Sequence, residues 1–417
     1  MKKVALVLAF AMIAFSLAAC ANSTQPFPSQ AQPPSQSAQA PSQSANPPVS
    51  TGAPSQSTPI TNAGDFDHLP RPQIVPEGTK FRLGALTVNL SAESIVRVNH
   101  QLQIECAHRG WDYVPVFYET DANYNDAFTS LLNQGVHAIA LINPIAAETH
   151  TDMYEAARKQ GIGVYSIIGS ISSGIITNFI SAHGVMTMEL LNRIGTDHNW
   201  KLNIAVLRMD AQPASSERMY PVIGYLEGKF RPEMNLVVTD DITGIYSTVG
   251  STMLAGQEMA RTWLEKYGDG IDAIMCYADN SAMGSAESIM AWGDKTGEKC
   301  FSVGIDGGKR SWSYIRDNTP LKYSYAMPME LFAHQLVELV IQIQIKGLNP
   351  GDPGCILEKS GRELFYSGKI ITIDNVPAIG TSIHQPFNYY DVNVTGEAAW
   401  WNWTDGPGIY MVEAYVA

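Results

Sequence analysis

Three apolar segments of the sequence each lead into a side chain that can hydrogen-bond a polar small molecule. These side chains are Asn143, Asp279 and Asp306. A carboxylate can accept hydrogen bonds from two hydroxyl groups at once, and an amide can donate as well as accept. Each residue also has a structural alternative. Asp306 could cap a turn, Asp279 could cap the following helix, and Asn143 before a proline could form a turn.

Other chemistries find no support in the spacing of reactive residues. The nine histidines show no His-Glu-x-x-His motif or paired spacing, so no metal site is predicted. The run Asp-Gly-Gly-Lys at 306–309 lacks the Gly-x-x-x-x-Gly-Lys-Ser/Thr pattern of a phosphate loop, and no Gly-x-Ser-x-Gly nucleophile motif occurs. The sequence therefore predicts no cofactor and favours binding over catalysis.

An internal repeat indicates the elements that position these side chains. The segment GVHAIALIN (135–143) reappears as GIDAIMCYA (270–278), and each is followed by a helical pattern and another apolar strand. Two β-α-β-α-β-α-β units in succession predict an α/β fold with two parallel-sheet lobes. The predicted strands lie at 81–88, 114–118, 135–143, 163–168, 202–209, 234–241, 270–278 and 300–305. A helical pattern follows the first strand up to 108, and further helices are predicted near 124–134, 214–229, 248–266 and 281–292.

Loops beyond the carboxyl ends of the strands are expected to line the binding cleft. In open parallel sheets ligands bind at that edge, and two facing lobes would share one cleft. Besides Asn143, Asp279 and Asp306, the candidate contacts on these loops are Ser91, Glu93, Glu148, Arg218, Tyr246 and Asn280.

Two stretches of the chain resemble type I periplasmic binding proteins for sugars. In the first lobe the similar segment is 131–167, and in the second lobe it comprises 271–293 and 301–308. The residues that match the second-lobe pattern are Asp279, Ala282, Gly284, Gly304, Asp306 and Gly307. The resemblance covers residues 80–348. It implies two doubly wound lobes that close around one small polar ligand, usually a monosaccharide, and deliver it to the permease of an ABC importer.

The departures from that family prevent a transfer of ligand identity. Ala92, Glu93 and Ser94 stand where the family often has Asn-Pro-Phe, and Arg218 lies about a turn before the family's arginine. Other departures are Ala278 in place of an asparagine and Ala326 in place of a glutamine. Asn280 could replace the missing asparagine, and Tyr246 falls where the family often places an aromatic residue.

The N-terminus has the pattern of a lipoprotein export signal. Lys2 and Lys3 precede an apolar run at 4–15, and the chain then reads Leu-Ala-Ala-Cys up to Cys20, which resembles a bacterial lipobox. The alternative interpretation is a transmembrane anchor, but the apolar run is shorter than the ~20 residues of a membrane-spanning helix. Residues 21–64 carry no charged side chain and are rich in Ser, Pro and Gln, which predicts a disordered tether. Cys20 is the predicted lipidation site.

Charge and cysteine content restrict the partners further. The chain has 27 Lys and Arg against 40 Asp and Glu, which argues against nucleic acid or anionic lipid as the ligand. Cys106, Cys276, Cys300 and Cys355 show no metal spacing, and buried free thiols are favoured over a disulfide.

Together these patterns predict an exported, monomeric solute-binding protein held at the outer face of a membrane by its lipid alone. Its partners would be a sugar or related polyol and an ABC permease. The alternatives are a receptor that reports its ligand to a membrane signalling protein and a tethered hydrolase. The predicted domains are 1–20 signal, 21–78 tether, 79–182 with 328–348 lobe 1, 183–327 lobe 2, and 349–417 a C-terminal extension that packs on the lobes.

Overall fold

Two six-stranded sheets form the framework in the part of the chain that the computed structural model describes, residues 68–76, 78–88, 92–144, 147–358 and 362–379. The strands are β1 (Arg82–Val88), β2 (Asp112–Tyr118), β3 (Ala138–Ile142), β4 (Gly163–Ile167), β5 (Asn178–Ile180), β6 (Leu202–Arg208), β7 (Met234–Asp241), β8 (Ala273–Cys276), β9 (Phe301–Asp306), β10 (Leu321–Ala326), β11 (Glu363–Phe365) and β12 (Lys369–Ile371). The helices are α1 (Glu93–Arg109), α2 (Asp121–Asn133), α3 (Thr151–Lys159), α4 (His183–Asp197), α5 (Pro213–Glu227), α6 (Thr243–Val249), α7 (Thr252–Tyr267), α8 (Asp279–Trp292), α9 (Lys309–Arg316) and α10 (Met329–Val340).

The two sheets have corresponding strand orders. The first runs β11-β5-β4-β3-β1-β2 and the second runs β12-β10-β9-β8-β6-β7. All neighbours pair in parallel except β10 and β12, which are antiparallel. Strands β3, β4 and β8 are buried along their whole length, as expected where helices cover both faces of a parallel sheet. The predicted fold class, two parallel-sheet α/β lobes, is confirmed.

Most predicted elements form, and two expectations are wrong. The helix expected at 248–266 is divided into α6 and α7, because Gly250 adopts a left-handed φ of 66° and Ser251 then caps α7 by accepting a hydrogen bond from the Leu254 amide. The alternative role of Asp279 as a helix cap also fails. The helix α8 begins at Asp279 itself, with Ala278 at the N-cap position.

Within the described residues, three chain segments connect the lobes. The first runs from β5 to α4 and the second from β10 to α10. The third runs from β11 to β12, so the segment 363–371 contributes one edge strand to each sheet. The sequence predicts only an extension packed on the lobes in this region, because strands of three residues carry too little periodicity to be recognised.

The segments are hydrogen-bonded to one another at the crossing. The Tyr366 amide donates to the Ile180 carbonyl at 2.9 Å, and the Gly368 amide donates to the Tyr325 hydroxyl at 2.9 Å.

The small residues that carried the resemblance in α8 have a packing role. A Cβ atom at Gly284 would overlap the Met253 carbonyl, so α7 and α8 approach more closely than a side chain there would permit. The cysteine prediction is confirmed as well. Cys106, Cys276, Cys300 and Cys355 are free and buried. No helix among the described residues is sufficiently long and apolar to span a bilayer.

Candidate ligand-binding site

Asp306 ends β9 where the second lobe meets the hinge. Its φ is 127°, a value that residues other than glycine rarely adopt, and Gly307 follows with a φ of 69°. A Cβ at Gly307 would overlap Ala326 of the neighbouring strand, so the Asp-Gly pair permits the chain to turn closely past β10. The side chain of Asp306 is 22% exposed, so it is mostly buried but can still be reached from solvent.

Arg218 on α5 lies against this carboxylate. Its Nη1 atom is 3.5 Å from Asp306 Oδ1 and donates to the Tyr277 carbonyl at 2.7 Å. The guanidinium is buried, and its Nε atom has no hydrogen-bond partner among the described residues. The apparent shift of this arginine from the family position therefore does not remove it from the site. Its Nε–H is a donor still in need of an acceptor.

His183 is a third member of the site, which sequence analysis missed. It is the first residue of α4, directly after the first crossing, and its side chain is 1% exposed. Its Nδ1 atom lies 3.0 Å from Glu217 Oε2, whereas its Nε2 atom has no partner among the described residues. Burial and the nearby charge of Arg218 lower the pKa of His183 to about 4. The ring is therefore neutral near pH 7, and with the proton on Nδ1 facing Glu217 its Nε2 is a hydrogen-bond acceptor.

The electrostatics of the site are set by burial and by charges from both lobes. Burial raises the pKa of the Asp306 carboxyl to about 7, with the positive charges of Arg218 and Arg97 acting in the opposite direction and Asp279 adding to the rise. Acceptors on Asp306 and His183 are thus combined with a donor on Arg218, which lies 3.5 Å from Asp306 and whose charge acts on His183. This combination suits the hydroxyl groups of a sugar or polyol, each of which both donates and accepts.

Asp279 holds the loop that follows Asp306. It is buried, and its carboxylate accepts hydrogen bonds from the Gly308 amide at 3.0 Å and the Ser324 hydroxyl at 2.6 Å. Burial raises its pKa, and these hydrogen bonds oppose that rise. Because both oxygens already have partners within the second lobe, the geometry favours a role in holding the loop that follows Asp306.

Glu93 connects the lobes instead of lining an open loop. Its carboxylate accepts hydrogen bonds from the amides of Lys309 at 2.7 Å and Arg310 at 3.3 Å. These amides are at the N-terminus of α9, where unpaired N–H groups favour an anion. In this conformation α1 of the first lobe therefore caps a helix of the second lobe across the cleft.

The remaining predicted residues are not joined to this cluster by any described contact. Asn143 has a φ of 49° and uses its backbone to bond β4 and Tyr118. Glu148 is exposed in the 3₁₀ turn Ala147–His150, Asn280 is partly exposed in the first turn of α8, and Tyr246 is 37% exposed on α6. Ser91 and Cys20 lie outside the described residues. No group of metal-ligating side chains occurs within the described part of the chain.

Comparison with solved structures identifies the fold as that of type I periplasmic binding proteins. No family model matches the chain, and no curated protein matches it. An arabinose-binding component of an ABC transporter from Shewanella sp. ANA-3 aligns with a TM-score of 0.60 at 17% identity, covering 71% of this chain and 93% of that one. An ABC transporter solute-binding protein from Actinobacillus succinogenes 130z with bound D-allose gives 0.61 at 12% identity, covering 71% and 98%.

A third similar structure carries a cyclic polyol. The Caulobacter myo-inositol binding protein, bound to myo-inositol, aligns with a TM-score of 0.60 at 15% identity, covering 72% of this chain and 96% of that one. Each of these proteins is covered nearly completely, so the alignment comprises both lobes.

Proposed function

We propose that this chain is an extracytoplasmic solute-binding protein that captures a sugar or polyol between its two lobes for an ABC importer. The observation that carries the proposal is the group formed by Asp306, Arg218 and His183 at the hinge side of the cleft. Two of its buried polar atoms, Arg218 Nε and His183 Nε2, have no partner among the described residues. Unsatisfied buried polar groups are costly in a folded protein, so these atoms are suited to a ligand that supplies the missing hydrogen bonds.

The fold supports the same proposal. The similar structures named above are described as binding arabinofuranose, D-allose and myo-inositol, and two of them as parts of ABC transporters. A ligand held between lobes that rotate about a three-segment hinge would be buried when the lobes close. Each of its hydroxyl groups would then need a hydrogen-bond partner from the protein.

Binding is favoured over glycoside hydrolysis by the state of the second carboxylate. A hydrolase acting in the cleft would need two available carboxyl groups. Asp306 is accessible, but both oxygens of Asp279 accept hydrogen bonds from the protein. We therefore infer that the cleft binds its ligand unchanged.

Attachment to the membrane through Cys20 is part of the proposal, and it rests on the sequence pattern at 17–20. The acyl chains would be the only membrane contact. The folded lobes would then act as a monomer tethered by residues 21–78.

A thermal-shift screen tests the ligand class. The compounds are L-arabinose, D-allose, allitol and myo-inositol, with further sugars, and with nucleosides and amino acids as chemical controls. We expect a rise in melting temperature with at least one sugar or polyol, and loss of that rise in Asp306→Asn. The matched control is Asp317→Asn, which makes the same change at an exposed position at the far end of α9. Stabilisation by nucleosides or amino acids alone would contradict the proposed ligand class.

A further inference from the structure

Arg97 is a buried charge that reaches from the first lobe to the second. It lies on α1, its side chain is 2% exposed, and it forms a two-pronged ion pair with Glu330 of α10, which is fully buried. Arg97 Nε donates to Glu330 Oε1 at 2.8 Å and Nη2 donates to Glu330 Oε2 at 2.7 Å. The ion pair fixes the plane of the guanidinium, so its remaining N–H groups point in defined directions.

Those remaining groups contact the backbone on the other side of the hinge. Arg97 Nη1 donates to the Asp306 carbonyl at 3.1 Å, and Nη2 donates to the Met327 carbonyl at 3.2 Å. Met327 belongs to the second crossing, and its amide lies 3.4 Å from the same Asp306 carbonyl oxygen. Arg97 thus binds the peptide group of the residue that we assign to ligand binding.

The backbone of Asp306 requires such support. Its positive φ of 127° is unfavourable for a residue with a Cβ atom. Conformations of this kind persist where surrounding contacts determine them, and they are typical of functional sites. The hydrogen bond from Arg97 Nη1 is one of the contacts that hold this peptide in place.

We propose that Arg97, oriented by Glu330, is a positioning residue that fixes the Asp306 backbone so that its carboxylate faces Arg218 and the ligand. This inference rests on the proposed function, because it assigns Arg97 a role in the same site. Arg97 does not contact the ligand. It couples the first lobe to the binding carboxylate of the second, so the site is complete only when α1 is docked at the hinge.

A lysine cannot replace this arginine. Its ammonium group could still pair with Glu330, but it lacks the planar fork that reaches two carbonyls in addition. Arg97→Lys should therefore preserve the buried ion pair while it releases Asp306. A second variant, Arg97→Met with Glu330→Met, removes both charges together and avoids leaving one of them buried and unpaired.

The experiment compares these variants with a control on the same helix. Arg109 also lies on α1 and pairs with Glu338 of α10, so Arg109→Lys makes the same exchange without touching Asp306. The probe is whichever of L-arabinose, D-allose, allitol and myo-inositol binds most tightly in calorimetry. We expect Arg97→Lys to weaken binding by about tenfold or more and Arg109→Lys to leave it within about twofold.

A ligand-free measurement completes the test. Carbon-13 NMR of the aspartate carboxyls would follow the titration of Asp306, and we expect its pKa to shift in the double Met variant because a carboxylate that is no longer held against Arg218 loses the lowering effect of that charge. An unchanged pKa, or unchanged affinity in Arg97→Lys, would overturn the positioning role. If none of the four compounds binds the wild type, the proposed function fails. If Asp306→Asn binds the probe normally, the site assignment on which this inference rests fails. If Asp306→Asn loses binding and Arg97→Lys keeps it, only the inference about Arg97 fails.

Discussion

Acidification through neutral pH should weaken ligand binding, because the accepting form of Asp306 is its ionised form. Burial raises the pKa of this carboxyl to about 7. A protonated carboxyl has only one oxygen free of the proton and cannot accept as strongly from two hydroxyls. The folded-state pKa lies above the ordinary value for aspartate, so the neutral form is favoured progressively as the pH falls through about 7.

The magnitude follows from that pKa. If the ligand binds only the ionised carboxylate, affinity falls about tenfold for each pH unit below the pKa and is nearly constant well above it. The dissociation constant should therefore rise about tenfold between about pH 8 and about pH 6. His183 does not contribute within this window, because burial lowers its pKa to about 4 and it stays neutral.

The groups that face Asp306 come from several elements, and only some can titrate. Arg218 on α5 and Arg97 on α1 lower the pKa of Asp306, and burial raises the pKa of Tyr277, so its hydroxyl stays neutral. Asp279 on α8 is a carboxyl whose pKa is also raised by burial. Its titration can be separated from that of Asp306 by substitution.

Calorimetric titrations at several pH values in wild type and Asp306→Asn provide the assay. In wild type we expect a dissociation constant that depends on pH. In Asp306→Asn we expect a larger dissociation constant that does not depend on pH. Asp317→Asn should reproduce the wild-type profile. A flat wild-type profile would refute the assignment of Asp306 as the ionised acceptor. A pH dependence that persists in Asp306→Asn would assign the titration to Asp279 instead.

Three further outcomes are expected. Asp306→Asn should not destabilise the ligand-free protein at about pH 8. A carboxyl group whose pKa is raised in the folded state lowers the free energy of unfolding when it is ionised, here by at most about 4 kcal/mol. If the variant melts several degrees below wild type, Asp306 is instead a turn cap. Glu93→Ala should separate α1 from α9 and increase the radius of gyration of the ligand-free protein in small-angle scattering, and an identical radius would show that Glu93 does not hold the lobes. Cys20→Ser should release the protein from membranes, and a variant that still pellets with them after a salt wash would contradict lipid anchoring.

The sheet framework could be predicted from sequence because its signals are local and repeated. The buried strands β3 and β8 are continuous apolar runs, and each is followed by a helix. Their order determines a parallel sheet, and a parallel sheet determines the edge at which a ligand binds. Asp306 and Arg218 were predicted in this way, and the structure brings them to 3.5 Å.

The rest of the site depends on contacts between residues far apart in the chain. Arg97 and Glu330 are separated by 233 positions, and His183 is a single histidine with no motif around it. The one sequence signal available for Arg97 was its position among apolar residues, between Ile95 and Val98. A charged residue that is buried on an apolar helix face needs a partner. Glu93 was predicted on a cleft loop, whereas it is the first residue of α1, and its engagement by α9 depends on how the lobes face each other.

The most direct test of the central claim is a crystal structure of the protein with the tightest-binding sugar or polyol from the screen. We expect the compound between the two lobes, with its hydroxyl oxygens about 3 Å from the Asp306 carboxylate, Arg218 Nε and His183 Nε2. A compound bound on the outer surface of one lobe, with these three groups contacting only protein or water, would contradict the account.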